Sequence, residues 1–383
     1  MIVDRVWAVR NLGFDPTILM PPLSAAVHPG TANSDDPEDL AREVIDFDSE
    51  APHGQAFLSF TKATGLSRYT DVAWPAGLAP TPAAALVANP GDPLPRADVL
   101  VVTWTVAVGH ALSRVLTPGK DSRSDYLPYT HNFDAISQKM RHGCPALELG
   151  RLGTYWTTTI GAKSVVIFKS DSHMSQDGPQ LPNIDVWKQI IEEVSPTLVI
   201  TTGTAGGVGT EFEVGDVVVS PVVRFDCTSK FKSQPFAMDH FHSVSPNKHL
   251  FPQARELFNA NAAQLPSENK RPPKIFVTPL GKLAESVVTT DLFGFDTSDD
   301  HFKLQGLGRV SEMGDAILGL VVDGIHAQGP RWLAVRNVSD PQIKADGLTL
   351  AQQGQLAAQI YKAFGRWSSV CSAIVCWALI AAE

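Results

Sequence analysis

The stretch TLVITTGTAGGVGTEFEVGDVVVS, residues 197–220, decides the fold. Residues 197–202 are a β-branched and apolar run of strand length, and the glycine-rich segment Gly203-Thr204-Ala205-Gly206-Gly207 follows it directly. That segment reads as a turn. Glycine admits positive φ and lets backbone N–H groups approach a bound anion or hydroxyl, and Thr204 adds one further donor. The plain alternative is a tight strand connection with no ligand. Val214-Gly215-Asp216 then reads as a turn into a second buried strand, residues 217–220.

Two downstream pieces complete the pattern. Residues 331–340, RWLAVRNVSD, form an apolar strand ending in Ser339-Asp340, and the helix-like Glu312-Met313-Gly314-Asp315-Ala316-Ile317 precedes it. In this order, TTGTAGGVGTEFEVGDVVVS, SEMGDA and AVRNVSD resemble the nucleoside phosphorylase superfamily. That superfamily includes purine nucleoside phosphorylases, uridine phosphorylases and methylthioadenosine/S-adenosylhomocysteine nucleosidases. The resemblance extends over residues 98–383. It implies an α/β fold, a three-layer α/β/α domain with a mixed central sheet, preceded by an N-terminal extension and linker at residues 1–97.

Composition agrees with a small-molecule enzyme. A chain of 383 residues with 44% hydrophobic side chains has ample material for a large core, and a net charge of -9 argues against a nucleic-acid partner. Cys144, Cys227, Cys371 and Cys376 show no CxxC or Cys/His metal spacing, and Asp4 and Arg5 interrupt any signal-peptide pattern. The expectation is a cytoplasmic protein without metal or organic cofactor.

Within the extension, apolar clusters at 6–9 and 18–20 alternate with polar stretches such as 33–43, and the Ala- and Pro-rich residues 79–95 read as a linker. Residues 56–60 and Trp74 favour an extension packed on the main domain, because leaving them wet is costly. Residues 99–102 then read as a buried parallel strand, and 107–116 as a helix stopped by Pro118 and Gly119. Residues 117–149 read as an irregular excursion, and 155–160 with 164–169 as a hairpin. Asp171 and His173 follow at a strand end and are secondary site candidates. A helix is expected over 184–194 with Asn183 as N-cap, a loop over 227–249, a helix over 251–265 and a strand over 275–279. His240 and His242 share a face if extended, without a third metal ligand. The chain closes with a helical stretch over 350–364 and an apolar run over 367–382, which is short of the roughly twenty residues a membrane span requires and reads as a buried helix.

The resemblance also nominates a site. Methylthioadenosine-type nucleosidases carry a water-activating glutamate in the loop after the first strand; here that loop reads Thr103-Trp104-Thr105-Val106-Ala107-Val108-Gly109-His110, so His110 is the nearest titratable side chain. Thr204, Ala205, Gly206 and Gly207 would line the ligand, and Phe293 or Phe295 would stack on the base. Glu312-Met313 resembles the ribose motif Glu-Met-Glu, with its second glutamate replaced by Gly314 and with Asp315 one position further on. Asp340, with Ser339, matches the aspartate that hydrogen-bonds or protonates N7 of a purine leaving group. Breaking an N-glycosidic bond places negative charge on the base, so an acid there stabilises the transition state. Hexameric phosphorylases carry an arginine about a dozen residues after that aspartate, whereas residues 341–355 offer Lys344 and no arginine.

The function expected is cleavage of the N-glycosidic bond of a purine-type nucleoside. Hydrolysis is favoured over phosphorolysis, which would take phosphate as co-substrate. The alternative is a nucleoside-binding sensor that has lost turnover. A dinucleotide-binding oxidoreductase is disfavoured because residues 203–209 lack GxGxxG opening into a helix. The resemblance further implies a homo-oligomer, and no membrane partner is expected.

Overall fold

The computed structural model describes residues 72, 74–244, 249–262, 271–325 and 329–383. The readings at 6–9, 18–20, 33–43 and 56–60 lie outside them. In chain order the strands are β1 (Thr81–Pro82), β2 (Val99–Thr103), β3 (Leu127–Tyr129), β4 (Gly153–Ile160), β5 (Lys163–Ser170), β6 (Leu198–Gly207), β7 (Val217–Ser220), β8 (Val222–Asp226), β9 (His240–His242), β10 (Ile275–Val277), β11 (Ser286–Thr290), β12 (Gly308–Glu312) and β13 (Arg331–Asp340). The α-helices are α1 (Val106–Leu116), α2 (Phe133–Ser137), α3 (Pro145–Leu149), α4 (Pro182–Val194), α5 (Leu250–Ala262), α6 (Asp315–Ile325) and α7 (Leu350–Ala382).

Among the described residues, all thirteen strands join one mixed sheet. The path β1-β4-β5-β2-β6-β12-β11-β8-β9 carries a branch in which β13 pairs with both β6 and β7, and β7 pairs with β10. Strands alternate their side chains between two cores, as the pleat requires. Val99, Val101, Leu198, Ile200, Leu333 and Val335 pack against α1, α5 and α7. Leu100, Val102, Val199, Trp332 and Ala334 pack against α4 and α6 on the other face. This is the three-layer α/β/α arrangement.

Several local expectations change. The Ala- and Pro-rich stretch is not a free linker: β1 pairs antiparallel with β4, Leu94 is buried, and Trp156 Nε1 donates to the Ala83 carbonyl at 3.2 Å. Trp74 packs edge-on against Trp377, with ring centroids 4.6 Å apart. The excursion over 117–149 contains β3, α2 and α3. Helix α4 begins at Pro182, and Leu181 at φ 49° precedes it without a side-chain cap, so Asn183 is a buried residue inside the helix rather than its cap. The loop over 227–249 holds β9, which exposes His240 and His242 to solvent. Glu312 ends β12 as a strand residue, and α6 starts only at Asp315.

The C-terminal end is one helix of 33 residues, capped by Thr349 and Gln352 in a reciprocal capping box. Its part Phe364–Ala382 spans 19 residues, more than the sequence reading allowed, and is long and apolar enough to cross a membrane by length and composition. In the fold 89% of that window is buried, because the helix packs on one face of the sheet together with α1 and α5.

Candidate active site

The site follows from how β6 is flanked. β13 runs along one edge of β6 from Leu198 to Gly206. The other edge is shared: β2 pairs in parallel with residues 198–201, and β12 pairs antiparallel with Gly206 and Gly207. The C-terminal ends of β2 and β12 therefore converge on an uncovered segment, residues 202–205, and the sheet opens between them. A divergence of this kind at strand ends is a general place for a ligand in open α/β sheets. The pocket there is lined by Trp104 and Thr105 after β2, by Gly203, Thr204, Ala205 and Gly206 of β6, by Ser311, Glu312 and Met313, and by Arg336, Ser339 and Asp340 of β13. His173, Phe293, Gly294 and Tyr361 close it.

The glycines do not make a turn. Gly203, Gly206 and Gly207 lie in extended strand, and positive φ occurs only beyond them, at Gly209 (φ 98°) and Gly215 (φ 87°). What requires glycine in the strand is crowding. A β-carbon at Gly203 would collide with Nη1 of Arg336, and one at Gly206 would lie 3.0 Å from Oδ2 of Asp340. The strand is thus kept bare where two buried charged side chains of β13 lie across it.

At one end of the pocket stands an ion-pair cluster. Arg336 is buried on β13 directly after the apolar run 332–335, and its guanidinium donates to both oxygens of Asp315, with Nε to Oδ2 at 2.6 Å and Nη2 to Oδ1. Nη2 also lies 3.1 Å from Oε2 of Glu312, and the guanidinium carbon sits 5.0 Å from the centre of the Trp104 ring. Burial works against the charge of Arg336, but Asp315 and Glu312 hold its pKa above the ordinary value. Glu312 accepts from the hydroxyl of Thr289 and from the backbone N–H groups of Gly314 (2.6 Å) and Asp315 (2.9 Å), so its carboxylate caps α6. Burial, then the Asp315 charge, pushes Glu312 up to about 7, against the pull of Arg336 and Thr289.

At the other end Asp340 closes β13. Ser339 Oγ donates to Asp340 Oδ1 at 2.7 Å and reaches the Ala205 carbonyl at 3.3 Å. Asp340 Oδ2 has no hydrogen-bond partner among the described residues and faces Gly206. Burial pushes its pKa up to about 6, and the Ser339 hydrogen bond opposes this. A carboxyl poised there exchanges a proton near neutral pH.

The structure brings Thr204, Ala205, Gly206, Phe293, Glu312, Met313, Ser339 and Asp340 together, and adds His173 from the secondary candidates. Gly207 lies one residue beyond the lining, Asp315 is spent on Arg336, and Phe295 is core, with its ring 5.1 Å from that of Phe302. Asp171 is buried in ion pairs with Arg151 and Lys169. His110 does not reach the pocket, because it points to the segment after α1, where Ser122 Oγ lies 3.1 Å from Nδ1 and Arg123 Nε donates to Nε2 at 2.9 Å. The sequence reading missed Arg336, Trp104 and Tyr361 as lining residues; an arginine directly after the apolar run 332–335 was the available signal for the first. Among the described residues no group of three His, Cys, Asp or Glu side chains could hold a metal ion, and all four cysteines are buried and unpaired.

The sequence model of the phosphorylase superfamily matches residues 127–376. No curated protein matches. Among solved structures, the chain is similar to 5′-methylthioadenosine/S-adenosylhomocysteine nucleosidase from Neisseria meningitidis in complex with methylthio-immucillin-A, at 16% identity over 74% of this chain and 99% of that one, with a TM-score of 0.44. The corresponding Helicobacter pylori nucleosidase with butyl-thio-DADMe-immucillin-A gives 13% identity, 74% and 97% coverage and a TM-score of 0.47. Futalosine hydrolase of Helicobacter pylori gives 13% identity, 74% and 96% coverage and a TM-score of 0.46.

Proposed function

The chain belongs to the phosphorylase superfamily, and on that premise we propose that it cleaves the N-glycosidic bond of a purine-type nucleoside with Asp340 as the acid at the leaving base. The observation that carries the proposal is the state of Asp340: a buried carboxyl at a strand end in the pocket, raised to about 6, with one oxygen held by Ser339 and the other unpartnered among the described residues. As the bond from C1′ to the base breaks, its electron pair passes to the base and the sugar gains oxocarbenium character. Proton transfer from Asp340 to N7 neutralises the charge that develops on the base. Phe293, at the pocket wall, would present a ring face to the base.

Hydrolysis is the version the site favours. Arg336 is the one Lys or Arg side chain lining the pocket among the described residues, and its charge is committed to Asp315 and Glu312 rather than to a phosphate. In hydrolysis a water oxygen bonds to C1′, and the proton it releases restores the acid. A second reading, a nucleoside-binding module without turnover, draws on the lining after β2, where Trp104 and Thr105 offer no carboxylate to activate that water.

One incubation separates these readings. The protein is mixed with a panel of nucleosides, with and without inorganic phosphate, and the products are chromatographed. Free base formed without phosphate is the expected result. Base formed only with phosphate, together with a sugar 1-phosphate, would make it a phosphorylase, and tight binding without any product would make it a sensor.

A further inference from the structure

One polar side chain in the pocket is left unused by this chemistry. His173 is 7% exposed and stands edge-on against Trp104, with ring centroids 5.7 Å apart. Its Nδ1 lies 2.8 Å from Ser175 Oγ and accepts the Ser175 backbone N–H at 3.2 Å. A backbone N–H only donates, so Nδ1 is the acceptor and the ring proton sits on Nε2. Nε2 has no hydrogen-bond partner among the described residues. It stands next to Gly314, 3.5 Å from where a β-carbon on that residue would lie. Burial, reinforced by the charges of Arg336 and Lys169, pushes the imidazole down to about 3, so the ring stays neutral and is a fixed donor rather than a base. Nε2 is therefore a donor that opens to the pocket, where a ligand can accept from it.

The neighbouring carboxylates do not compete for that ligand. Both oxygens of Asp315 are taken by Arg336, and those of Glu312 by Thr289, the Gly314 and Asp315 N–H groups and Arg336. Glu312 has its acceptor sites filled, and Asp315 is fully buried outside the pocket lining, so neither is placed to receive a sugar hydroxyl, although the sequence nominated both. Gly314 itself leaves room between Trp104, His173 and Glu312.

We propose that His173 is the specificity-determining residue of the sugar end of the pocket: its Nε2–H donates to a 2′- or 3′-hydroxyl oxygen seated in the room over Gly314. This rests on the nucleoside-cleaving reading above and deepens it. The sugar is read by a neutral donor, so a ribonucleoside is preferred over the analogue that lacks the contacted hydroxyl.

The test measures binding by calorimetry and base release by chromatography for adenosine, 2′-deoxyadenosine and 3′-deoxyadenosine. Wild-type protein should bind one of the deoxy compounds about 10- to 100-fold more weakly than adenosine, the range for a lost hydrogen bond that strands a buried donor. His173→Phe, which keeps a ring against Trp104, should collapse that ratio towards one, and His173→Gln, which restores a donor, should recover part of it. Gly314→Ala gives an independent route: the new methyl meets Trp104, His173 and Glu312 at 3.4–3.7 Å, ordinary contact distances, so the fold is kept while the hydroxyl's place is filled. It should lower adenosine affinity more than that of the discriminated deoxy compound. Equal wild-type affinity for all three nucleosides, absence of binding to any, or a ratio that survives both His173→Phe and Gly314→Ala overturns the assignment. Discrimination in binding without base release would sustain the subsite while refuting the cleavage reading.

Discussion

The two ends of the pocket hold buried carboxyl groups in opposite circumstances. At the end where β12 meets α6, Glu312 is filled by a hydroxyl, backbone N–H groups and Arg336, and Asp315, buried outside the pocket lining, is held at both oxygens by Arg336. At the end of β13, Asp340 holds a single side-chain hydrogen bond from Ser339 and has one oxygen open. Burial raises the pKa of both Glu312 and Asp340, to about 7 and about 6. The shift alone therefore does not tell a chemical carboxyl from an architectural one. What separates them is unfilled hydrogen-bonding capacity: Glu312 and Asp315 position α6 and Arg336, whereas Asp340 has an oxygen to offer a ligand.

Variants that exchange these roles should fail in different assays. Asp340→Asn keeps the shape and the bond to Ser339 but has no proton to transfer, so kcat on a purine nucleoside should fall by about 10²–10⁴ with little change in KM. Arg336→Leu, at the other end, leaves two buried carboxylates unpaired, and denaturant unfolding should show a loss of about 3–5 kcal/mol. A stability gain in that variant would dissolve the distinction between the ends.

Asp340 is also a pH lever on stability. Its folded pKa of about 6 lies above the ordinary 3.8, so the folded state holds the proton more tightly than the unfolded chain. The stability this contributes is complete below about pH 4 and is lost as pH rises through 6, on the order of 3 kcal/mol. Unfolding curves from pH 4 to 7 should therefore fall more steeply for the wild type than for Asp340→Asn, and parallel curves would refute the raised pKa. The smallest effect is expected at Phe293→Leu, where the loss of a stacking face of roughly 1–3 kcal/mol should raise KM by about 5- to 150-fold. Phe295→Leu should instead lower the melting temperature without changing KM, because Phe295 belongs to the core.

The layered fold was readable because its strands are short apolar runs whose alternate residues enter two different cores, as Val99 and Val101 do against Leu100 and Val102. The order of the three motifs was readable too, and with it Asp340. The errors arise where tertiary contacts override local signals. Asn183 has the chemistry of a helix cap, yet Pro182 opens α4 one residue earlier and draws Asn183 inside. Gly203 to Gly207 have the composition of a turn, but the strand continues through them because β13 pairs along it and Arg336 and Asp340 lie across it. His110 is close in sequence to the loop after β2, yet the chain folds back so that Ser122 and Arg123 take up its ring. The partners of Arg336 lie 21 and 24 residues upstream, on α6 and at the end of β12, and no local pattern joins them.

The most direct test of the account is the pH dependence of kcat/KM, compared between a purine nucleoside and p-nitrophenyl riboside, whose leaving group needs no proton. kcat/KM reports the ionisation of the free enzyme. For the nucleoside it should be high at acid pH and fall as pH rises through about 6, where Asp340 gives up its proton. For p-nitrophenyl riboside that fall should be absent, and Asp340→Asn should abolish the fall for the nucleoside while leaving the riboside nearly unaffected. A nucleoside profile that is flat from pH 5 to 8, or one that keeps its fall in Asp340→Asn, would contradict the assignment of Asp340 as the acid.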